Sequence, residues 1–116
     1  MQLTIHERQE GDVTILEPVG RITFGPELEA FHSRVKELIR AGKKKIVLRL
    51  DKVNQVDSLG LGAIIGAIKS ARGAGGNLCM VQPSQPLQNV LDLVGLGGRT
   101  DILPIFENEE DAIKSL

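Results

Sequence analysis

Hydrophobic and polar positions alternate with a period of two near the start of the chain. Leu3 and Ile5 are separated by polar residues, and a second apolar run, 12–19 (DVTILEPV), follows a turn at Gly11. This period is typical of half-buried strands, so the pattern predicts a β-hairpin. Pro18 cannot donate a ladder hydrogen bond, which predicts a sheet edge or a bulge at that end of the second strand.

The rest of the chain alternates between helical and extended patterns. Gly25 and Pro26 open a helix whose apolar residues recur at helical spacing, and Ala41 and Gly42 end it. The mostly apolar run 46–50 (IVLRL) is typical of a central strand covered on both faces. The elements predicted after it are a loop at 54–58, a helix at 59–72, a strand at 77–82, a helix capped by Ser84, a strand at 102–106 and a short acidic helix from Asn108.

The predicted order is β-β-α-β-α-β-α-β-α. Strand–helix–strand units require right-handed crossovers and give parallel strands with helices on the sheet faces, while the hairpin adds an antiparallel pair. The length of 116 residues suits one domain. We therefore expect a single α/β domain over residues 1–116, with a mixed, mostly parallel sheet of about five strands and about four helices.

Composition narrows the classes of function. Fourteen Lys and Arg against fifteen Asp and Glu leave a net charge of −1, which argues against a surface built for nucleic acid or an anionic membrane. The basic triplet 43–45 is best interpreted as a solvated turn, because three lysines are too few for a binding stripe. The single cysteine excludes an internal disulfide, and a signal-peptide pattern is absent. A cytoplasmic protein is the simplest expectation.

The most informative stretch is 56–62 (VDSLGLG), where the chain leaves a central strand and enters a helix. The spacing predicts Ser58 as the helix N-cap. Gly60, Gly62 and Gly66 remove side chains from the first turns, although glycine inside a helix costs about 1 kcal/mol against alanine. Their number indicates close packing, either against the sheet beneath or against another protein above.

No enzyme class fits this stretch. A serine hydrolase elbow would place glycine two residues before the serine and a histidine after it, but Val56 occupies that position and both histidines, His6 and His32, precede Ser58. The glycine spacing matches neither the dinucleotide fingerprint nor the phosphate loop. The sequence shows no cluster with metal-ligand spacing, and Cys79 lies in a predicted central strand. We expect neither catalysis nor a cofactor or metal.

The order of elements and the run Asp57-Ser58-Leu59-Gly60-Leu61-Gly62 resemble the stand-alone STAS-domain proteins of bacteria known as anti-sigma factor antagonists. The resemblance extends from about Leu3 to Ile113. Its further pieces are Val19-Gly20, the strand 46–50 with Val53 and Val56 after it, Gly75-Gly76 before the strand 78–81, and the helix 90–96 that ends in Gly-Leu.

The resemblance implies a regulatory binding protein rather than an enzyme. In the family, the serine after the aspartate is phosphorylated, and that position is Ser58. The implied partners are an anti-sigma factor that is also an ATP-dependent serine kinase and a PP2C-type phosphatase that removes the phosphate. The unphosphorylated antagonist binds the anti-sigma factor, which then releases its sigma factor. The residues expected to bind the partner are Asp57, Leu59, Gly60, Leu61, Gly62, Arg21, Thr23 and Phe24.

Two departures from the family pattern leave alternatives open. Leu59 stands where Ser, Thr or Ala is common, and is either an exposed apolar contact or part of the core. The loop 20–25 (GRITFG) carries Arg21 and Thr23 where acidic residues are common, and the sequence favours Phe24 as a lid on the core over an exposed contact. A STAS accessory or scaffold module that acts unphosphorylated in a lipid-transport or stress-sensing complex is the second hypothesis. The third is a small-molecule or nucleotide binder at the same helix N-terminus. We expect a monomer.

Overall fold

Six strands and four helices form the fold in the computed structural model, which describes residues 2–99 and 101–116. The order is β-β-α-β-β-α-β-α-β-α. The strands are β1 Leu3–Glu10, β2 Val13–Ile22, β3 Lys45–Arg49, β4 Val53–Val56, β5 Asn77–Val81 and β6 Ile105–Phe106, and the helices are α1 Pro26–Arg40, α2 Ser58–Gly73, α3 Gln85–Leu93 and α4 Glu109–Lys114.

The sheet is mixed and mostly parallel, as predicted. β1 and β2 form an antiparallel hairpin in which Leu3 faces Gly20 and Glu10 faces Val13. The remaining pairs, β2 with β3, β2 with β4, β3 with β5 and β5 with β6, are all parallel. The order across the sheet is β1-β2-β3-β5-β6, and β4 extends the parallel pairing of β2 beyond β3. This order brings the end of β2 and the end of β4 side by side.

The predicted loop at 54–58 is wrong, because most of it is strand β4. Val53 and Val56 are buried, and the two residues between them, Asn54 and Gln55, are exposed. Two buried positions three residues apart lack the alternation by which a strand is identified in a sequence. The predicted final strand at 102–106 is also too long, since Ile102 and Leu103 donate backbone hydrogen bonds to Arg99 in turns and the strand begins only at Ile105.

An edge or a bulge was predicted at the Pro18 end of the second strand; β2 is an inner strand of the sheet, and it is the irregular register at this end that agrees with the prediction. β2 pairs with β3 through Thr14, Ile15 and Leu16, and its pairing with β4 starts at Gly20. Pro18 therefore falls in the gap between the two parallel partners, where a missing N–H breaks no parallel ladder bond. The irregularity of register occurs nearby, between Gly20 and Arg21.

Three helices cover one face of the sheet and one short helix covers part of the other. The larger core combines β-strand residues such as Leu48 with residues of α1, α2 and α3, including Phe31, Ile64 and Leu91. The smaller core lies on the opposite face, where Val47 and Cys79 pack with Ala112 of α4. The strand β3 contributes to both cores, which confirms the prediction from its continuous apolar run. α1 and α2 consequently lie side by side on one surface.

Candidate functional site

The connection from β4 to α2 is held by the carboxylate of Asp57. This residue has extended backbone angles and is the N-cap of α2, where its Oδ1 accepts a hydrogen bond from the backbone N–H of Gly60 at 2.7 Å. The expectation that Ser58 caps the helix is therefore wrong. Aspartate and serine are almost equally good N-caps, and the chain uses the one that comes a residue earlier. Ser58 becomes the first helical residue, with an exposed side chain that the cap does not use.

The same carboxylate fixes the loop between β2 and α1. Its Oδ2 accepts a hydrogen bond from the backbone N–H of Phe24 at 2.9 Å. The loop and the start of α2 meet here because β2 and β4 are paired and end together at Ile22 and Val56. Asp57 is half-buried between the two segments. Its observed role is to position the loop against the serine-bearing helix end.

The glycines of α2 divide into one that packs against the sheet and two that leave open space. A Cβ added to Gly60 would lie 1.9 Å from the carbonyl oxygen of Ile22, so only glycine fits between the helix and β2. A Cβ added to Gly62 or Gly66 would meet nothing within 4 Å. The sheet requires Gly60, which confirms close packing beneath the helix, while Gly62 leaves the outer surface bare and packing against another protein there stays a prediction.

The predicted partner-binding residues are split between the surface and the core. Phe24 is 74% exposed and Leu59 is 53% exposed, so the favoured placement of Phe24 over the core is wrong and Leu59 is a surface residue. The hydrogen bond of the Phe24 backbone to Asp57 holds the loop with its ring outward. Leu61 is only 5% exposed and Gly60 is buried, so packing replaces the expected partner contact for these two residues.

Ser58, Leu59, Gly62 and Phe24 form one exposed surface, which we call the α2 N-terminal surface. Ser58 and Gly62 are four residues apart and lie on the same side of the helix. Phe24 is attached to the cap of that helix through its backbone. The chain thus presents two apolar side chains, a bare glycine and a hydroxyl around one helix end. A surface of this composition suits a protein partner, because large exposed apolar side chains are typical anchors of interfaces.

Arg21 and Thr23 are less available than the sequence predicts. Arg21 Nε lies 3.4 Å from Glu27 Oε1 in the geometry of an ion pair rather than of an aligned hydrogen bond. Glu27 is only 4% exposed and also accepts a hydrogen bond from the backbone N–H of Gln2 at 3.3 Å. Thr23 is half-buried. The ion pair holds the loop to the first turn of α1, although the Arg21 side chain remains 42% exposed.

Sequence reasoning missed Glu27 as a residue that supports this site. The available signal was that Glu27 follows Arg21 by six residues and lies in the first turn of the helix that begins at Pro26. An acidic residue at that position is ordinarily explained by the helix dipole alone. Its burial beside Arg21 depends on the loop conformation, which the sequence pattern does not specify.

The described part of the chain shows no alternative chemical centre. In residues 2–99 and 101–116, no group of three or more His, Cys, Asp or Glu could hold a metal ion. Cys79 is buried as expected, and burial raises the pKa of its thiol, which also lies 3.2 Å from the Ser115 hydroxyl. Across the same residues, no helix combines the length and apolarity needed to cross a bilayer. The α2 N-terminal surface therefore remains the candidate functional site.

Comparison with known proteins identifies the family. The family model of the STAS domain matches residues 4–112. The chain belongs to the STAS domain family. This confirms the expected fold class and places the STAS core across nearly all of the described structure.

The relatives belong to one functional group within the STAS family. An anti-sigma F factor antagonist of Paenibacillus polymyxa is 37% identical over 71 residues, which is 61% of this chain and 58% of that protein, so less than two thirds of its length is matched. A Thermotoga maritima protein provisionally assigned as an anti-sigma factor antagonist is 31% identical over 80 residues, 69% of this chain and 68% of that one. The chain is thus a STAS protein of the anti-sigma factor antagonist family.

Solved STAS structures have the same fold. The crystal structure of the Thermotoga maritima protein has a TM-score of 0.76 and 28% identity, with 96% of this chain and 92% of that chain covered. The phosphorylated form of SpoIIAA, a Bacillus cell fate determinant, has a TM-score of 0.70 over 97% of this chain and 98% of that chain. At 18% identity, the likeness to SpoIIAA shows the fold alone.

Proposed function

We propose that this STAS protein is an anti-sigma factor antagonist that is switched by phosphorylation of Ser58. Its unphosphorylated form binds an anti-sigma factor with serine kinase activity through the α2 N-terminal surface, and the sigma factor is released. Phosphorylation ends the complex, and a PP2C-type phosphatase restores it. Ser58 is the substrate of a partner enzyme and not a catalytic residue of this chain. The observation that carries the proposal is that Asp57 takes the cap, which leaves an exposed serine at the first position of α2.

The electrostatics of α2 favour a modification that leaves the fold intact. A phosphate adds about 1.5 to 2 negative charges at neutral pH. The N-terminus of a helix carries about half a positive charge, and α2 has no acidic side chain in its first turn, although the Asp57 carboxylate at its cap already accepts the N–H of Gly60. The N–H groups that this cap leaves free still favour a nearby phosphate. The added charge lies outside the core because Ser58 is exposed. We expect the phosphorylated protein to keep its fold.

The same charge is incompatible with a dry interface. Leu59 follows Ser58 directly, and the exposed Phe24 is bonded through its backbone to Asp57, which precedes the serine, so we expect a partner that covers both side chains to exclude water from Ser58. A phosphate in that position would be a buried charge without an equally strong partner, which is costly. The modification therefore acts on binding and not on folding, which is what a reversible switch requires.

The direct test is phosphorylation by the ATP-dependent serine kinase encoded nearest to the gene. The wild-type protein, Ser58→Ala and the matched control Ser33→Ala, which alters an exposed serine of α1, are incubated with this kinase and ATP. We expect one phosphate on the wild type and on Ser33→Ala and none on Ser58→Ala, as read by intact mass and a peptide map. A phosphate at another serine would overturn the assignment of Ser58.

The affinity of the kinase for the unphosphorylated and the phosphorylated protein tests the switch itself. We expect Ser58→Ala to stay bound to the kinase in the presence of ATP and the phosphorylated wild type to dissociate, as measured by pull-down and by titration. Equal retention of the phosphorylated protein would contradict the charge-based mechanism. Absence of any phosphate, together with stable binding to a transporter or scaffold component, would favour the accessory-module function instead.

A further inference from the structure

A groove runs along the contact between α1 and α2, from Leu59 near the serine toward the C-terminal ends of both helices. Its more enclosed part has a volume of about 190 Å³ and reaches down to the buried side chains of Phe31 and Val35. A more open depression of about 300 Å³ continues it toward Leu28 and Leu59 at the N-terminal ends of both helices. Both are lined by His32 and Ala63, so they adjoin along the same helix contact and are described together as one groove. We call it the α1–α2 groove, with Phe31, Val35, Ile39, Ala63, Gly66 and Ala67 as its apolar lining.

The groove exists because α2 presents small residues where α1 presents large ones. Ala63, Gly66 and Ala67 face Phe31, Val35 and Ile39 across it. A Cβ on Gly66 would meet nothing within 4 Å, so the space in front of this residue is open. Protein interiors are otherwise close-packed, and apolar surface left uncovered favours the binding of an apolar group.

The charges around the groove differ at its two ends. Lys36 and Arg40 line the end toward the helix C-termini, and both are exposed. Most Lys and Arg of the chain are in ion pairs, but these two pair with no carboxylate of residues 2–99 and 101–116. The opposite end carries Glu29 beside Leu28 and Leu59. An occupant that complements the groove therefore has its negative charge at the C-terminal end and an apolar part along the rest.

We infer that the α1–α2 groove binds a free fatty acid, with the alkyl chain along the apolar lining and the carboxylate between Lys36 and Arg40. The distance along α1 from Leu28 to Arg40 is about 18 Å at the helical rise per residue, which suits a medium-chain acid. An alkyl chain is much narrower than an α-helix of about 10–12 Å diameter, and the enclosed part of the groove, at about 190 Å³, suits the narrower occupant. This inference does not depend on phosphorylation of Ser58.

The test uses dodecanoate below its micellar concentration, with calorimetric titration and native mass spectrometry as readouts. Gly66→Leu fills the groove. Gly73→Leu is its control, because Gly73 lies at the end of α2, does not line the groove, and would also have no atom within 4 Å of an added Cβ. Lys36→Gln with Arg40→Gln removes the cations, and Lys69→Gln removes an exposed cation of α2 that does not line the groove. Dodecyltrimethylammonium, with the same chain and the opposite charge, tests the preference for an anion.

We expect one dodecanoate per protein molecule, no binding to Gly66→Leu, and binding about tenfold weaker for the double variant, since a charge-assisted contact is lost. Gly73→Leu and Lys69→Gln should bind like the wild type, and dodecyltrimethylammonium should bind more weakly. Gly66→Leu should unfold no more readily than the wild type, because leucine is a better helix former than glycine. If it does unfold, Ser70→Leu blocks the same groove from an exposed position.

Several results would overturn the inference. Unchanged affinity in both groove-filling variants would place the ligand elsewhere. Equal affinity for dodecanoate and dodecyltrimethylammonium would remove the role of Lys36 and Arg40. Failure to form a saturable complex with dodecanoate, or binding only to vesicles of anionic lipid or to an acidic peptide, would show that the groove serves another occupant.

Discussion

At the scale of single residues, the glycines of α2 make opposite contributions that substitution can separate. Gly60→Ala places a methyl group against the carbonyl oxygen of Ile22, so the helix end or β2 must shift. We expect the free energy of unfolding to fall by about 1–3 kcal/mol, as in other overpacked positions. Gly62→Ala meets no neighbour and removes a poor helix former, so it should raise the free energy of unfolding by up to about 1 kcal/mol. Urea unfolding of both variants measures the difference, and equal effects would contradict the assigned packing.

The sequence could not show which of two adjacent residues, Asp57 or Ser58, caps α2. Asp57 and Ser58 are both favourable N-caps, and the choice between them depends on where β4 ends and on the hydrogen bond from Phe24. Ser84 is the cap that was predicted, and Asn108, predicted as the start of the last helix, is its N-cap; neither has a competing neighbour. The same limit applies to Phe24, since an aromatic residue in a loop that begins and ends with glycine suits an exposed contact as well as the lid that the sequence favoured.

At the scale of elements, the loop between β2 and α1 and the start of α2 should act together in binding. Phe24→Ala and Leu59→Ala remove exposed side chains, so each should change the free energy of unfolding by less than about 0.5 kcal/mol. In the proposed complex with the anti-sigma factor, each should weaken binding by about 1 kcal/mol or more, as for apolar anchors of interfaces. Titration of the unphosphorylated proteins with that partner provides the measurement.

Leu93→Ala is the matched control for these substitutions. Leu93 is 86% exposed, at the end of α3, and does not belong to the α2 N-terminal surface. Its truncation should leave the affinity unchanged. A loss of affinity as large as that of Phe24→Ala would mean that the partner docks over a different surface.

Elements were predictable where apolar spacing was long and regular, and unpredictable where tertiary pairing created them. The helix after Pro26 was predicted from five apolar positions, and its buried residues Phe31, Val35 and Leu38 agree. β4 has four residues and owes its strand character to pairing with the end of β2. This short strand is also what places Asp57 next to Phe24, so the missed element explains the missed geometry of the site.

At the scale of the whole molecule, the helices on the two faces of the sheet are attached by different interactions. One face is covered by α1, α2 and α3 over a large apolar core, and the other by α4 over a small one. α4 has six residues, too few to be stable alone. Charged contacts compensate, because Glu109 in its first turn pairs with Arg8 of β1 and with Arg49 of β3, the latter at 3.0 Å. These two arginines connect α4 to both sides of β2.

The connection through Glu109 makes part of the stability depend on pH. Burial alone would raise the pKa of the Glu109 carboxyl, but the hydrogen bonds from Arg8 and Arg49 outweigh it and hold the pKa below its ordinary value of 4.5. The unfolded chain therefore takes up a proton at a higher pH than the folded protein does. The stabilising contribution is complete above the ordinary pKa and is lost as the pH falls through the lower, folded-state pKa.

Glu109→Gln should accordingly lower the free energy of unfolding by about 1–2 kcal/mol at neutral pH, the range for a charge-assisted hydrogen bond. The difference from the wild type should shrink as the pH falls from about 5 toward about 3, as the wild-type carboxyl is itself protonated. Some dependence on pH should persist in the variant, because Lys45 and Arg99 also lower the pKa values of Asp12 and Asp101. Glu110→Gln is the control, since its pair with Lys114 is exposed and within α4. Urea unfolding of the wild type and both variants at each pH measures these differences in the free energy of unfolding. A difference between the wild type and Glu109→Gln that stays constant with pH would show that Glu109 stabilises α4 by packing and not by charge.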